Sequence, residues 1–304
     1  MSGEVEIITV CLSLCLLGGP GTGAPQGVPA PPMRYITNAP ESEGDVRYRY
    51  HWEILRTALE KTLDTWGPFE LRPGPRMSES RQSFELKEGR SLTVMCLSTK
   101  PEMEATLLPV RIPVDKNLGG YCVFLIRRED QPRFTPERIR TLDDLRKLSL
   151  GLGYGWIDVD ILRRNGFKVV TGSDYDGLFT MLVNRRFDAF LRATVEVLDE
   201  VDQRKAALPS LHIEENFILY YPLPMYFWFP RTPEGERLRR RAREGMMAMI
   251  RDGSFDAIFR KHQQPKIDRL HLKRRKIFRL ENPFLGPETP FADKRLWYDP
   301  VSSR

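Results

Sequence analysis

The sequence predicts an α/β protein built in two halves, each a mainly parallel sheet with helices on its faces, and three observations predict it. Strand-like and helix-like segments alternate through residues 33–97, and such alternation places crossover helices on the faces of a mainly parallel sheet. A second β/α series begins at Thr141. Pro109, Pro113 and Gly119-Gly120, and later Pro222 and Pro224, punctuate the chain at two points where it can pass from one half to the other.

Taken in order, Met33-Arg34-Tyr35-Ile36-Thr37 reads as a short strand, and residues 48–65 set Trp52, Leu55, Leu59 and Leu63 at helical spacing on one face. Pro68-Phe69-Glu70-Leu71 reads as a second strand, residues 78–88 as a helix and residues 91–97 as a third strand. Beyond the first punctuation, residues 121–127 form a continuous apolar strand. Helices are then expected over residues 142–148, 156–165, 176–184 and 194–207, alternating with strands at 149–152, 168–170, 187–191 and 216–221. The last part opens with a strand at 225–229 and continues as a basic helix over 233–251. It breaks at Asp252-Gly253-Ser254, resumes as a helix over 255–262 and ends in a tail rich in Pro and aromatics over 282–300.

The balance of 47 Lys and Arg against 41 Asp and Glu gives 304 residues a net charge of +6, on a chain that is 41% hydrophobic. Sixteen Phe, 10 Tyr and 5 Trp exclude disorder over most of the length and leave enough buriable surface for two domains or one large one. The longest apolar run, residues 7–17, is too short for a bilayer span of about 20 residues. It is followed by Gly18-Gly19-Pro20 and by Thr22-Gly23-Ala24, a breaker and a small-residue cleavage site, so residues 1–24 read as a secretory signal peptide and residues 25–32 as a linker. Glu4 and Glu6 stand where such a signal carries basic residues, which keeps a short N-terminal strand or helix open as the alternative. Cleavage removes those two acids and no base, raising +6 to +8. Cys11 and Cys15 would leave with the signal. Cys96 and Cys122 remain in apolar, strand-like surroundings, as two buried thiols by preference or as a single disulfide. None of the four His stands at ligand spacing with a Cys, so neither zinc nor any other cofactor is expected.

An ordered residue series then carries a resemblance. Thr141-Leu142-Asp143-Asp144-Leu145-Arg146-Lys147-Leu148, Gly151-Leu152-Gly153-Tyr154-Gly155, Leu182 with Arg186-Phe187-Asp188-Ala189-Phe190, and Ile250-Arg251-Asp252-Gly253-Ser254-Phe255-Asp256-Ala257-Ile258-Phe259-Arg260-Lys261 resemble segments of bacterial extracellular solute-binding proteins, family 3. The likeness covers residues 33–262 and is strongest from Thr141 onward. It implies a two-lobed type II periplasmic-binding-protein fold, the Venus flytrap, with a mixed, mainly parallel sheet flanked by helices in each lobe. Lobe one would comprise residues 33–119 and 222–281, lobe two residues 120–221, with 282–304 as a tail. It further implies a periplasmic monomer that closes on a small-molecule ligand and works with an ABC permease or a membrane sensor.

Departures from the family pattern shape the expected ligand. Amino-acid binders carry an Arg shortly after the third strand, where this chain reads Ser98-Thr99-Lys100-Pro101-Glu102. The acid expected after the "GrvDa" strand is replaced by Arg192, and the small hydroxyl residues at the lobe-two helix by Tyr154-Gly155-Trp156. Gly151-x-Gly153-x-Gly155 leads into a helix, whose exposed N–H groups attract anions, and a guanidinium suits a carboxylate or phosphate. An anionic or polar ligand between Arg192 and that helix end is therefore expected. Thr99, Tyr154, Gly155, Trp156, Tyr175, Arg192 and Tyr226 are the candidate ligand-binding residues, with Lys100, Ala39 and Glu41 facing the same cleft from lobe one.

Two basic runs remain, Arg237 to Arg243 and His271 to Arg279. The first shares its helix with an apolar face of Leu238, Ala242, Met246 and Met249 and is expected as a solvated face, and no nucleic-acid motif accompanies either run. No nucleophile elbow, H-E-x-x-H or Walker loop occurs, so no catalytic residue is assigned. The functional expectation is capture of a solute for transport or sensing. The alternatives are a non-transport member whose tail docks on a partner protein, and an enzyme on the same scaffold.

Overall fold

The computed structural model describes residues 31–40 and 48–300. The segment read as a signal peptide, most of the expected linker, Cys11, Cys15, Glu41 and the last four residues of the tail lie outside the described residues. The chain opens with β1 (Met33–Thr37), α1 (Arg49–Glu60), α2 (Leu63–Trp66), β2 (Phe69–Pro73), α3 (Glu79–Lys87), β3 (Met95–Ser98), α4 (Pro101–Thr106) and β4 (Leu107–Val110). The second series runs β5 (Tyr121–Arg127), α5 (Leu142–Arg146), β6 (Ser149–Gly153), α6 (Ile157–Arg164), β7 (Lys168–Gly172), α7 (Tyr175–Val183), β8 (Ala189–Ala193), α8 (Val197–Arg204), β9 (Leu211–Ile213) and β10 (Phe217–Tyr220). The chain ends with β11 (Met225–Pro230), α9 (Pro233–Asp252), α10 (Ser254–Arg269) and β12 (Lys276–Arg279).

These strands form three sheets, two small ones in lobe one and a mixed seven-stranded one in lobe two. In lobe one β2 pairs with β1 in parallel, β1 meets the β3 segment through a parallel bridge between Thr37 and Val94, and β11 lies antiparallel between β3 and β4. Lobe two has the order β12-β10-β5-β8-β6-β7, with β9 beside the far end of β5. All seven residues of β5 are buried, as a central strand covered on both faces requires. Thr141 and Asp144 form a reciprocal capping box at the start of α5, so the Thr-Leu-Asp-Asp motif read from the sequence is a helix-start signal.

Four short elements were not legible. Among them β4 contains Pro109, read above as punctuation. It lies at the sheet edge, where a residue without an N–H is tolerated. The expected return of residues 222–281 to lobe one ends near residue 270, because β12 pairs in parallel with β10 and extends the lobe-two sheet. Helix α10 runs on past Pro265 to Arg269, and its buried Ile267 and Leu270 join a core that also holds Val197, Leu198 and Ile218 of lobe two. Burial of two large aliphatic groups, worth about 1.5–3 kcal/mol each, offsets the cost of one proline inside a helix, about 3 kcal/mol.

The basic helix α9 begins at a Thr232 side chain that accepts from Gly235 N–H and ends at Gly253 with φ +79°. Its apolar face packs as expected, but Arg241 of the basic run is buried. Its guanidinium donates to the carbonyls of Leu59 and Gly67 and to Thr62 Oγ1, satisfying groups at the end of α1 and in the turn before β2. Cys96 and Cys122 are buried free thiols, and burial pushes both pKa values up.

The chain passes between the lobes at 115–120 and 221–224, and again before β12; the first two crossovers are tied to each other. Asn117, at φ +63°, accepts from Leu223 N–H through Oδ1 at 2.7 Å. A Cβ on Gly120 would stand 2.3 Å from Tyr221 O, so only glycine admits this approach. The buried Asp115 carboxylate accepts from Asn117 N–H at 3.0 Å and Gly119 N–H at 2.7 Å, and burial pushes its pKa up to about 6. Since its folded pKa lies above its unfolded value near 3.8, this group's stabilisation is full below about pH 4 and is lost as pH rises through 6. Urea denaturation between pH 4 and 7 should therefore show an Asp115-dependent fall on the order of 2–3 kcal/mol, absent in Asp115→Asn.

The tail does not project from the body. Asn282 Nδ2 donates to Pro222 O at the second crossover, and Tyr298 N donates to Lys116 O at the first. Phe284 packs on the lobe-two core, Arg111 pairs with Glu288 at 2.5 Å, and Leu296 is buried in the core to which both lobes contribute.

Candidate functional site

A cavity of about 70 Å³ lies between the lobes. That is room for a handful of waters or a small polar ligand. Lobe one contributes Tyr48 and His51 around the start of α1, Glu79 at the start of α3, and Ser98 and Met225 where β3 and β11 pair. Lobe two contributes Trp156 and Asp158 around the start of α6, Cys122 on β5, and Arg192 and Glu196 at and beyond the end of β8.

The glycine-rich turn has a packing reason. A Cβ on Gly151 would fall 2.2 Å from the Phe187 ring and one on Gly153 2.3 Å from the Trp156 ring, while Gly155 has φ +81°. These glycines let Trp156 fold back over β6, where it stacks on Phe190 with ring centroids 6.3 Å apart. The turn then delivers Asp158 into the first turn of α6, facing the cavity. Tyr221 Oη donates to Asp158 Oδ1 at 2.6 Å. Burial raises the Asp158 pKa, and the tyrosine hydrogen bond offsets part of that rise.

Arg192 is 4% exposed and is held from within lobe two. Its Nε donates to Glu200 Oε2 at 2.8 Å and its Nη2 to Glu196 Oε2 at 2.6 Å and to Glu200 Oε1. The guanidinium lies 4.9 Å from the Trp156 ring centre and 5.0 Å from that of Phe190, and Tyr175 Oη donates to the same Glu200 at 2.6 Å. Burial disfavours the charge, but attraction by Glu200 and Glu196 outweighs it and moves the Arg192 pKa up. The cation that suggested an anion clamp thus has carboxylate partners in its own lobe.

Of the seven candidates, Arg192, Trp156 and Tyr175 come together in this cluster, and the first two line the cavity. Gly155 lies at the lobe boundary, where its carbonyl accepts from Lys100 Nζ of lobe one at 2.7 Å, and Lys100 also pairs with Glu79 at 2.6 Å. Tyr154 is 73% exposed, outside the cavity. Thr99 is buried and donates to Glu104 Oε1 at 2.8 Å, and Tyr226 is buried against Trp228 in a separate core; neither lines the cavity. Ala39 is buried at the end of β1 and also lies outside it. Sequence reasoning missed His51, Glu79, Asp158 and Glu196. Only Asp158 had a visible signal, an acid in the first turn after a glycine-rich loop.

No protein-family model matches this sequence, and no curated protein matches it either. Solved structures do match. A histidine kinase sensor domain with similarity to periplasmic binding proteins aligns with TM-score 0.54 at 18% identity, covering 76% of this chain and 95% of that one. An ancestral arginine-binding protein bound to arginine aligns with TM-score 0.55 at 16% identity, covering 76% and 98%. The arginine-, lysine-, histidine-binding protein ArtJ of Geobacillus stearothermophilus aligns with TM-score 0.55 at 13% identity, covering 78% and 99%. With helix-flanked sheets in two lobes, crossovers that bond to each other and a cavity between the lobes, the chain has the two-lobed fold of the periplasmic amino-acid-binding proteins, in a divergent sequence.

Proposed function

We propose that this chain is a solute-binding-like protein that holds a small polar ligand between its lobes, for transport or for sensing. The observation that carries the reading is the inter-lobe cavity onto which the Asp158 carboxylate faces. The anionic ligand expected from Arg192 is disfavoured by two features of that cavity. Glu196 and Glu200 already engage the guanidinium, and Asp158 itself supplies negative charge at the start of α6, where an incoming anion would have to sit. A ligand that donates to Asp158, a neutral polar molecule or an ammonium, is the better fit. Trp156 and Met225 would flank its apolar part, and closure of the lobes would be the binding step.

Capture rather than turnover is the proposed role. The neighbours include the substrate binding protein of an amino acid ABC transporter and a histidine kinase sensor domain, so the fold is compatible with an ABC permease or a membrane sensor as the partner of a monomer. Export to the periplasm through residues 1–24 belongs to the same proposal; among the described residues no helix is long and apolar enough to cross a membrane.

The test is thermal unfolding of the chain from Met33 onward against amino acids, amines, sugars and dicarboxylates. A ligand at 100 times its Kd should add about 2.7 kcal/mol of stability, and Asp158→Asn should reduce that gain by at least half. A dicarboxylate that stabilises the protein equally well with and without Asp158 would reverse the assigned ligand charge. No stabilisation by any compound would move the weight to an accessory role without a small ligand.

A further inference from the structure

A second cavity, sharing no residue with the inter-lobe one, lies where α8 and β9 face the turn between α10 and β12. It is an open groove of about 550 Å³. Arg128, Arg269, Arg274 and Arg275 line it together with His212 and His271, against one acid, Glu215.

The four arginines are not equivalent. Arg275 is turned inward and donates to Leu270 O, and Arg269 makes a two-pronged pair with Asp202 at 2.6 and 3.1 Å. Arg128 and Arg274 have no carboxylate within ion-pair distance among the described residues; the Arg128 guanidinium meets only the His212 ring, at 3.5 Å. Arg274 belongs to the second basic run but lies before β12, and unlike Arg275 and Lys276 of that run its side chain has no hydrogen-bond partner among the described residues. Beneath these cations the floor is apolar, formed by Leu198, Val201 and Leu211. A low-polarity floor strengthens any ion contact made above it. Burial, and then the charge of Arg128, lower the His212 pKa, so the imidazole already registers the positive field of the groove.

The geometry points to this groove as a binding site for a phosphate group carried on an organic body, with the phosphate between Arg128 and Arg274 and the body on the Leu198, Val201 and Leu211 floor. Guanidinium forks match phosphate oxygens, and the groove is larger than inorganic phosphate alone requires. A soluble phosphomonoester and a phospholipid headgroup present the same chemistry, and the experiment separates them.

The chain from Met33 onward is titrated with glycerol 3-phosphate and pyrophosphate by calorimetry and, separately, sedimented with phosphatidylglycerol or phosphatidylcholine vesicles. The ring protons of His212 are followed by NMR in the calorimetry samples. The expected result is saturable binding that Arg128→Gln/Arg274→Gln weakens at least tenfold, with an upward move of the His212 titration midpoint on binding. Both substituted side chains are exposed and without carboxylate partners, so the thermal midpoint of the double variant should match that of the parent. Glu215→Gln should tighten binding. Binding of the soluble esters assigns a metabolite site, and Arg-dependent sedimentation with phosphatidylglycerol alone assigns a headgroup site. Absence of saturable binding in both arms, or equal binding by the double variant, overturns the assignment.

Discussion

Arg192→Ala should lower the stability of the ligand-free protein by about 3–5 kcal/mol, the cost of removing one partner from a buried ion pair. The reason lies in the surroundings of the guanidinium. Arg192 is 4% exposed and Glu200 1%, and the guanidinium bridges Glu200 to Glu196 while lying against Trp156 and Phe190. Deleting the cation leaves Glu200 in a site of low polarity and takes contact area from both rings. Urea denaturation without ligand is the decisive measurement, because a cation whose only work is to clamp a ligand would contribute nothing there. Arg192→Met/Glu200→Gln should recover at least half of the loss, since it removes the buried charge along with its partner. A single variant as stable as the parent would return Arg192 to the role of ligand clamp.

Truncation after Glu281 should cost about 3–6 kcal/mol. The segment removed buries Leu296, stacks Trp297 on Phe291, places Tyr298 against Phe259 and makes hydrogen bonds to both crossovers. Burial of one large aliphatic group contributes about 1.5–3 kcal/mol, and each hydrogen bond about 0.5–1.5 kcal/mol. The shift in denaturation midpoint measures this directly. A truncated chain of unchanged stability would instead leave the tail available for a partner protein, the reading that the Pro/aromatic composition first suggested. Because the tail reaches both crossovers, its loss should also ease opening of the lobes. Small-angle scattering would record this as an increase in the radius of gyration.

The positions of most helices and strands were legible because local signals sufficed. The apolar stripe of α1, the capping box of α5, the Gly253 stop after α9 and the unbroken apolar run of β5 each declare themselves within a few residues. Elements that depend on a distant neighbour were not. Nothing near Lys276–Arg279 says that it will pair with Phe217–Tyr220, and nothing near Pro265 says that two aliphatic residues beyond it will be buried against the other lobe.

The site divides in the same way. Arg192 and Trp156 were found, since a glycine-rich turn before a helix and a cation after a strand are local patterns, and both line the cavity. Thr99 was placed in the cleft through the resemblance and Tyr226 as an aromatic wall, yet their side chains are buried away from it. The sequence by itself determined the alternation of strands and helices and the two halves joined at Gly/Pro-marked points, because periodicity and punctuation act within a few residues; the two-lobed fold followed from the family resemblance of its ordered motifs. The tertiary structure alone decided that Glu196 and Glu200 would engage Arg192 and that Asp158 would face the cavity. Charge neutralisation depends on which side chains meet in space, and strand order, not spacing along the chain, sets those meetings.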